Sequence, residues 1–431
     1  MNKTINIGEL TRVEGHGGIK VVLENDAVKE VKMNVFEGPR FFESLIKTVK
    51  YDKVPDIMRR ICAICTASHS LASIRAIEHA FEVQVTEQTE LLRDLLIHGE
   101  TIESHALHVF MLALPDYLGY PDAMKMASRY PSEVKAALEL KKAGNMIHNI
   151  LSGREVHGMN ERVGGFSKIP SENKILQIKD AMKPARKIAE LAVDLFAKIE
   201  VPNYTESNNI FMALDPGEKY GFIGDNVKIS DGSRYHINDY LKFVEEKTMK
   251  HSTAKFSAYN GSPFMVGALP RIVLNRDKLE GEARNLYNKY KGLIKEDNTL
   301  SSNLAQAIEL VHSVERSISV VDELVEKGLK NEAPAEIKAK QSRGIGAVEA
   351  PRGVLYHDYT FDKEGNVVKC NVITPTAQNL ANMEKDYKVT ANELIREPDE
   401  KIKFNLELIA RAYDPCISCS THIVRLRGQP L

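Results

Sequence analysis

Cysteine is scarce in this sequence, five residues in 431, a density too low for a disulfide framework. An excess of charge is missing too. With 58 basic residues against 59 acidic ones and a formal net charge of -1, whole-chain electrostatics gives no reason to expect a nucleic-acid or membrane-surface partner. Nor is there a long uncharged apolar run. The most apolar neighbourhood, Leu91 to Leu114, carries Arg93, Asp94, Glu100 and Glu103, costly in hydrocarbon over a span of about 20 residues; no membrane span is expected, and the segment belongs in a protein core. The opening residues MNKTINIGELTRVEGHGG lack a basic n-region, an apolar h-region and a small-residue cleavage site, which argues against a secretory signal peptide. Internal repeats and low-complexity tracts are absent.

What is present is ample material for a core, at 43% hydrophobic. A β-branched run at Ile19–Leu23 and an alternating one at Val28–Val35, with Asn25-Asp26 between them, predict a small antiparallel sheet. From Pro55 to about Glu200 the spacing becomes helical, as in Leu92, Leu95, Leu96, Ile102, Ala106 and Val109. Thr86 is the expected N-cap there, with Glu87 and Glu90 in the first turn. Residues 203–261 read as loops with short strands. A stripe from Leu304 to Leu324 predicts a core helix stopped by Gly328. A polar stretch over 331–346 precedes strand-like runs around Val354–Tyr356 and at Val367–Ile373, and a last helix starts near Ala377. The expected fold is mainly α (α+β), a large helical core with small antiparallel sheets near the N-terminus and in the C-terminal half. It is expected to form one domain over 1–431, with 1–37 as its β part.

Four of the five cysteines fall into two C-x-x-C pairs, Cys62/Cys65 and Cys416/Cys419. The fifth, Cys370, lies in a strand-like pattern and reads as a small buried hydrophobe. A C-x-x-C turn aims two sulfurs at one ion, and thiolates favour zinc, iron-sulfur clusters, copper(I) or nickel over hard cations. Structural zinc is the plain reading of two such pairs. Zinc ribbons, however, keep their pairs within about 20 residues, and iron-sulfur runs are also usually local. Here nearly the whole chain separates the pairs, as suits a site that the entire fold exists to position.

The motifs R-I-C-x-x-C-x-x-x-H at Arg60–His69 and D-P-C-x-x-C-x-x-H at Asp414–His422 resemble the paired signature of nickel-iron hydrogenase large subunits. The resemblance extends to Arg12–His16, Glu37–Glu43, Glu103–His108 and Glu349–Gly353. Within that family the chain looks most like the cytoplasmic NAD(P)-linked hydrogenases, or sulfhydrogenases. The resemblance implies the nickel-iron hydrogenase large-subunit fold and reversible H2 = 2 H+ + 2 e- at a Ni-Fe centre with carbon monoxide and cyanide on the iron. Cys62 and Cys416 would be terminal nickel ligands, and Cys65 and Cys419 would bridge to iron. Glu14 would relay protons to and from a nickel-bound cysteine, a task suited to a carboxylate beside a thiolate. Arg352 would overhang the open metal position and Asp414 would orient it. His69 would donate a hydrogen bond to a bridging sulfur, and Pro375-Thr376 would contact an iron cyanide. Glu43, His422 and a main-chain carbonyl at Val372 would hold a second ion, magnesium or iron. Ser104 departs from the pattern, standing where many membrane-linked or periplasmic relatives carry an aspartate.

Residues 423–431 resemble the tail that a maturation protease removes in this family. With four of five cysteines committed, an iron-sulfur small subunit is needed to carry electrons, and the resemblance adds a flavin/NAD(P)-binding diaphorase subunit and a ferredoxin-like subunit, with NADP, NAD or polysulfide as acceptor. Cytoplasmic localisation is expected. A hydrogen sensor and a non-catalytic zinc-stabilised subunit of a redox complex remain as alternatives.

Overall fold

A computed structural model describes residues 2–203 and 209–421. Strands β1 (Lys3–Ile7), β2 (Gly17–Glu24) and β3 (Ala27–Val35) form an antiparallel sheet in sequence order. The β2–β3 turn is the predicted Asn25-Asp26, both in the left-handed region at φ 52° and 57°. That is the pairing a two-residue hairpin of matching twist demands, and Asn and Asp are the residues that tolerate it. β1 was not foreseen: its five residues alternate too briefly to stand out.

Helix α1 (Thr66–Phe81) begins directly after Cys65, and α2 (Glu87–Leu107) follows. The Thr86 side chain accepts the amide of Thr89, as the capping reading requires. α2 runs on through a wider-wound stretch, His108–Ala113, of the kind that recurs at functional sites. It packs against α3 (Pro131–Ser152), which packs in turn on α4 (Glu172–Phe196). Short strands at Met212–Asp215, Asn226–Ile229 and Arg234–His236 form a small sheet, and Glu245–Thr248 pairs with Lys255–Ala258. α5 (Ala268–Asn275) precedes α6 (Ser302–Lys327), which ends before Gly328 at φ 72° and lies against both α2 and α4.

The polar stretch near 331–346 hides a strand. β4 (Ser342–Ala350) pairs with β5 (Gly353–Phe361), and β5 with β6 (Val367–Ile373). β4 escapes a pattern reading because its glycines do positive work. A Cβ on Gly344 would stand 2.1 Å from the Ala76 carbonyl, and one on Gly346 would stand 2.3 Å from that of Ala72. Only bare backbone lies this close to α1. α7 (Pro375–Glu393) and α8 (Asp399–Ala412) close the fold, and the predicted helix near Ala377 is α7 with Pro375 at its first position. One large hydrophobic cluster joins the N-terminal sheet to these helices, and a smaller one lies under the middle sheet. Among the described residues, no helix is long and apolar enough to cross a membrane.

Candidate metal centre

The two cysteine pairs meet. All four Sγ atoms lie within 4.8 Å of one another in buried surroundings, with Cys62–Cys65 at 2.8 Å, Cys62–Cys416 at 3.6 Å and Cys65–Cys419 at 3.7 Å. All four are free thiols. Local structure presents them: Cys62 is extended after a short helical turn, Cys65 is the N-cap of α1, and Cys416 caps the turn Ile417–Ser420. Hydrogen bonds from Cys416, Cys419 and Cys65 hold Cys62 well below the ordinary thiol range, while burial pushes Cys416 and Cys419 up. The donor set fits a soft metal. Sulfurs around a tetrahedral ion at ~2.3 Å would sit ~3.8 Å apart, near the Cys62–Cys416 and Cys65–Cys419 distances though wider than Cys62–Cys65, and four thiolates by their chemistry suit zinc as well as nickel.

Its neighbours are not those of a closed zinc site. The Glu14 segment lies beside the second pair as a parallel bridge to Cys416, with Ile417 N–H donating to Glu14 O at 2.9 Å. Glu14 Oε2 accepts from Cys416 Sγ at 3.1 Å and from Ser418 N at 3.0 Å. Gly15, at φ 85°, makes this approach possible; a Cβ there would meet Ser418 N at 2.7 Å. From the other side Arg352 Nε donates to Asp414 O at 2.6 Å and Nη2 to Asp414 Oδ1 at 3.0 Å. Against the pull of burial, Asp414 and the thiols keep Arg352 firmly cationic. Its Nη1 is buried with no partner, an unspent donor beside the sulfurs.

The Arg352 turn has its own anchor, one that the sequence reading missed. Fully buried Arg271 of α5 donates to Ala350 O at 3.0 Å and Pro351 O at 2.8 Å, while pairing with Glu309 and Glu349. No local signature announces it, because the partners lie on α6 and β4. Glu100 was missed likewise: it accepts from Ala67 N at 2.6 Å and Ser68 N at 3.2 Å at the start of α1, steadying the Cys62–Cys65 turn.

The remaining predicted residues are placed as follows. His69 Nδ1 meets His357 Nε2 at 3.1 Å, and His357 Nδ1 meets the Tyr359 hydroxyl at 2.5 Å, which in turn meets Ser73 Oγ. Burial lowers His69 to about 4, so it rests neutral. Its Nε2 carries the hydrogen only if Tyr359 turns its O–H, which donates to Ser73 Oγ, toward His357 Nδ1, so that His357 Nε2 donates to His69 Nδ1. Thr376 Oγ1 accepts the Cys416 amide at 2.9 Å, leaving its own O–H to donate elsewhere. Buried Glu43 accepts from Val372 N–H at 2.8 Å and has Lys255 Nζ at 3.7 Å; burial raises it. Thr421 O accepts from Arg40 N, bringing the end of the described chain near Glu43, while His422 and residues 423–431 lie outside the described residues. Ser104 Oγ is buried without a partner, and Glu103 pairs with Lys141. Cys370 is half-buried on β6 and is not among the four clustered cysteines.

Comparison with known proteins settles what the tetrad alone does not. A family model described as nickel-dependent hydrogenase matches residues 40–137 and 224–422, and one described as HoxL-like matches 4–37. The chain is 41% identical to sulfhydrogenase 1 subunit alpha of Pyrococcus furiosus, over 98% of each chain. It is 28% identical to the NAD-reducing hydrogenase HoxS subunit beta of Cupriavidus necator, over 98% of this chain and 95% of that one. Among solved structures, an NAD+-reducing [NiFe]-hydrogenase in its H2-reduced state superposes with a TM-score of 0.87 at 27% identity, covering 97% and 99% of the two chains. The Ni-Fe-Se hydrogenase of D. vulgaris Hildenborough shares the fold, with a TM-score of 0.80 at 21% identity over 98% and 100%. Zinc stabilisation therefore gives way to the other reading of the same sulfurs: the chain belongs to the nickel-dependent hydrogenase family, as the catalytic large subunit that holds the Ni-Fe centre.

Proposed function

We propose that Cys62, Cys65, Cys416 and Cys419 would hold the Ni-Fe centre, Cys62 and Cys416 as ligands to nickel alone and Cys65 and Cys419 as ligands shared with an iron that would carry carbon monoxide and cyanide, and that Glu14 moves protons to and from the Cys416 sulfur. The observation that carries this is the 3.1 Å contact between Cys416 Sγ and Glu14 Oε2, within the reach a general base needs. When bound, the Ni-Fe centre supplies heterolytic cleavage of H2 and takes up the two electrons. The protein's own part is acid-base and positional. Glu14 Oε2 receives the proton from Cys416 Sγ while Ser418 N–H holds the carboxylate in place. Arg352 Nη1 offers a donor at the open position and Asp414 fixes its plane by two hydrogen bonds. His69 would donate from Nε2 to the sulfur of Cys65 or Cys419 when Tyr359 turns its hydroxyl toward His357, and the Thr376 hydroxyl, beside Pro375, would donate to a cyanide on the iron.

A second ion, magnesium or iron, would sit between Glu43, the Val372 carbonyl and His422; Lys255 beside Glu43 would have to yield to it. The chain folds as one unit over 1–431, with 423–431 removed on maturation by a protease. Electrons leave to an iron-sulfur small subunit. In keeping with the similarity to sulfhydrogenase and NAD-reducing subunits, they pass on to a diaphorase subunit with flavin and NADP or NAD, or to polysulfide, in the cytoplasm. A ferredoxin-like subunit completes the complex.

Hydrogen-deuterium exchange by the purified complex tests the Glu14 role. Glu14→Gln is expected to slow exchange by about 100-fold or more, the scale of lost general acid-base catalysis, with nickel content retained. Exchange at the parental rate refutes the assignment.

A further inference from the structure

Where α2 and α6 pack against each other, apolar side chains are replaced by a polar seam. On α2, Asp94, His98, Thr101 and His105 recur at i, i+4, i+7 and i+11, one face of a helix. α6 answers with Gln306, Glu309, His312, Ser313 and Arg316. His98, His105, Glu309 and Ser313 are fully buried, and His312 nearly so.

The seam is only partly satisfied by protein. Glu309 accepts from Tyr220 OH at 2.5 Å and meets His105 Nε2 at 2.8 Å, and the Tyr220 ring packs on His312, whose ring packs on His98. Yet both nitrogens of His98, Nδ1 of His105, Nε2 of His312 and the hydroxyl of Ser313 have no hydrogen-bond partner. His98 Nε2 lies 3.3 Å from Asp94 Oδ1 as an ion-pair contact, without hydrogen-bond alignment. Apart from His98 Nε2, which has Asp94, four such groups remain in the seam, His98 Nδ1, His105 Nδ1, His312 Nε2 and Ser313 Oγ; each would cost about 1–3 kcal/mol unmet, and together they call for ordered water.

The seam also has two ends that matter. Its inner end comes up to the metal centre, where Gln306 Nε2 donates to Asp414 Oδ2 at 3.3 Å and Asp414 holds Arg352; the amide fixes how near the seam comes but carries no proton, so the step there is one for water. Its outer end reaches solvent at Asp94 and Arg316, paired at 2.7 Å with side chains 21% and 17% exposed. Asp94 to His105 spans ~16 Å of helix.

We propose that this seam is a water-filled proton path between the Arg352–Asp414 side of the metal centre and solvent at Asp94–Arg316, distinct from the exit through Glu14. It rests on the hydrogenase reading. A proton taken up at the open nitrogen of one histidine is matched by release of the proton on its other nitrogen, to water at His98 and His312 and to Glu309 at His105; each ring is left as the opposite tautomer, and a ring flip or proton return through the same groups restores its starting form. Burial lowers His105 and brings His312 to about 3; both rest as neutral imidazoles able to accept and donate. Against burial, Arg271 keeps Glu309 ionised, and Glu309 then holds the His105 Nε2 hydrogen, leaving Nδ1 as acceptor.

Two measurements test this. A high-resolution crystal structure of the complex is expected to show ordered water on His98, His105 Nδ1 and His312 Nε2; a dry seam overturns the path whatever the chain's activity. In the Glu14→Gln complex, adding His98→Asn and His312→Gln is expected to cut the residual hydrogen-deuterium exchange about tenfold further, with nickel content and metal-centre infrared bands unchanged. These amides keep hydrogen-bonding capacity but cannot relay a proton, so a purely structural role would be rescued by them. Absence of residual exchange in Glu14→Gln, or residual exchange that the added substitutions leave unchanged, overturns the proposal.

Discussion

Arg271 shows how a single side chain outside the cysteine set can hold a turn beside it. It is the only cation hydrogen-bonded to both Glu309 and Glu349 among the described residues, and it also holds the two carbonyls that precede Arg352. Removing one partner of a buried ion pair strands the other charges, which typically costs about 3–5 kcal/mol. Arg271→Met is therefore expected to lower the midpoint of urea unfolding by a free energy on that scale; a change under about 1 kcal/mol contradicts the anchoring account. Residues of this kind were not legible in the sequence, because their partners are non-local. The four cysteines were legible from their paired spacing, and the positions of Glu14 and Arg352 through the resemblance of their motifs, Arg12–His16 and Glu349–Gly353, to the hydrogenase signature rather than from local chemistry alone.

At the scale of elements, periodic segments were read well and glycine-bearing ones were not. The helix at Ser302–Lys327 and the strand at Val367–Ile373 agree with their patterns, because burial on a regular face writes a regular spacing. β4 does not, because its contact with α1 requires the absence of side chains at Gly344 and Gly346. That contact joins the helix that starts at Cys65 to the strand that ends just before Arg352, so it fixes the distance between two parts of the site. Gly346→Val would force them apart, and overpacking typically costs about 1–3 kcal/mol. The variant is expected to lose thermal stability and to purify with less nickel per chain than the parent. A parental melting temperature with full nickel would show that the strand-helix approach does not set the site.

Over the whole molecule, the fold brings residue 14, residues 62–65, residue 352 and residues 414–419 to one buried place, and the hydrogen bonds between Glu14 and the Cys416–Ser418 turn tie the segment between the first two strands to the end of the described chain. This long-range closure explains why a four-cysteine set that would suit zinc in a local ribbon is spread over nearly the entire chain. A local fold cannot bring a carboxylate, a guanidinium and four sulfurs together from both ends of a chain; a large helical core can. Infrared spectroscopy of the purified complex tests this most directly. Bands of carbon monoxide and cyanide bound to iron, lost when Cys65 or Cys419 is replaced by serine, are the predicted result. A complex that carries four-sulfur zinc and shows no such bands would contradict the account.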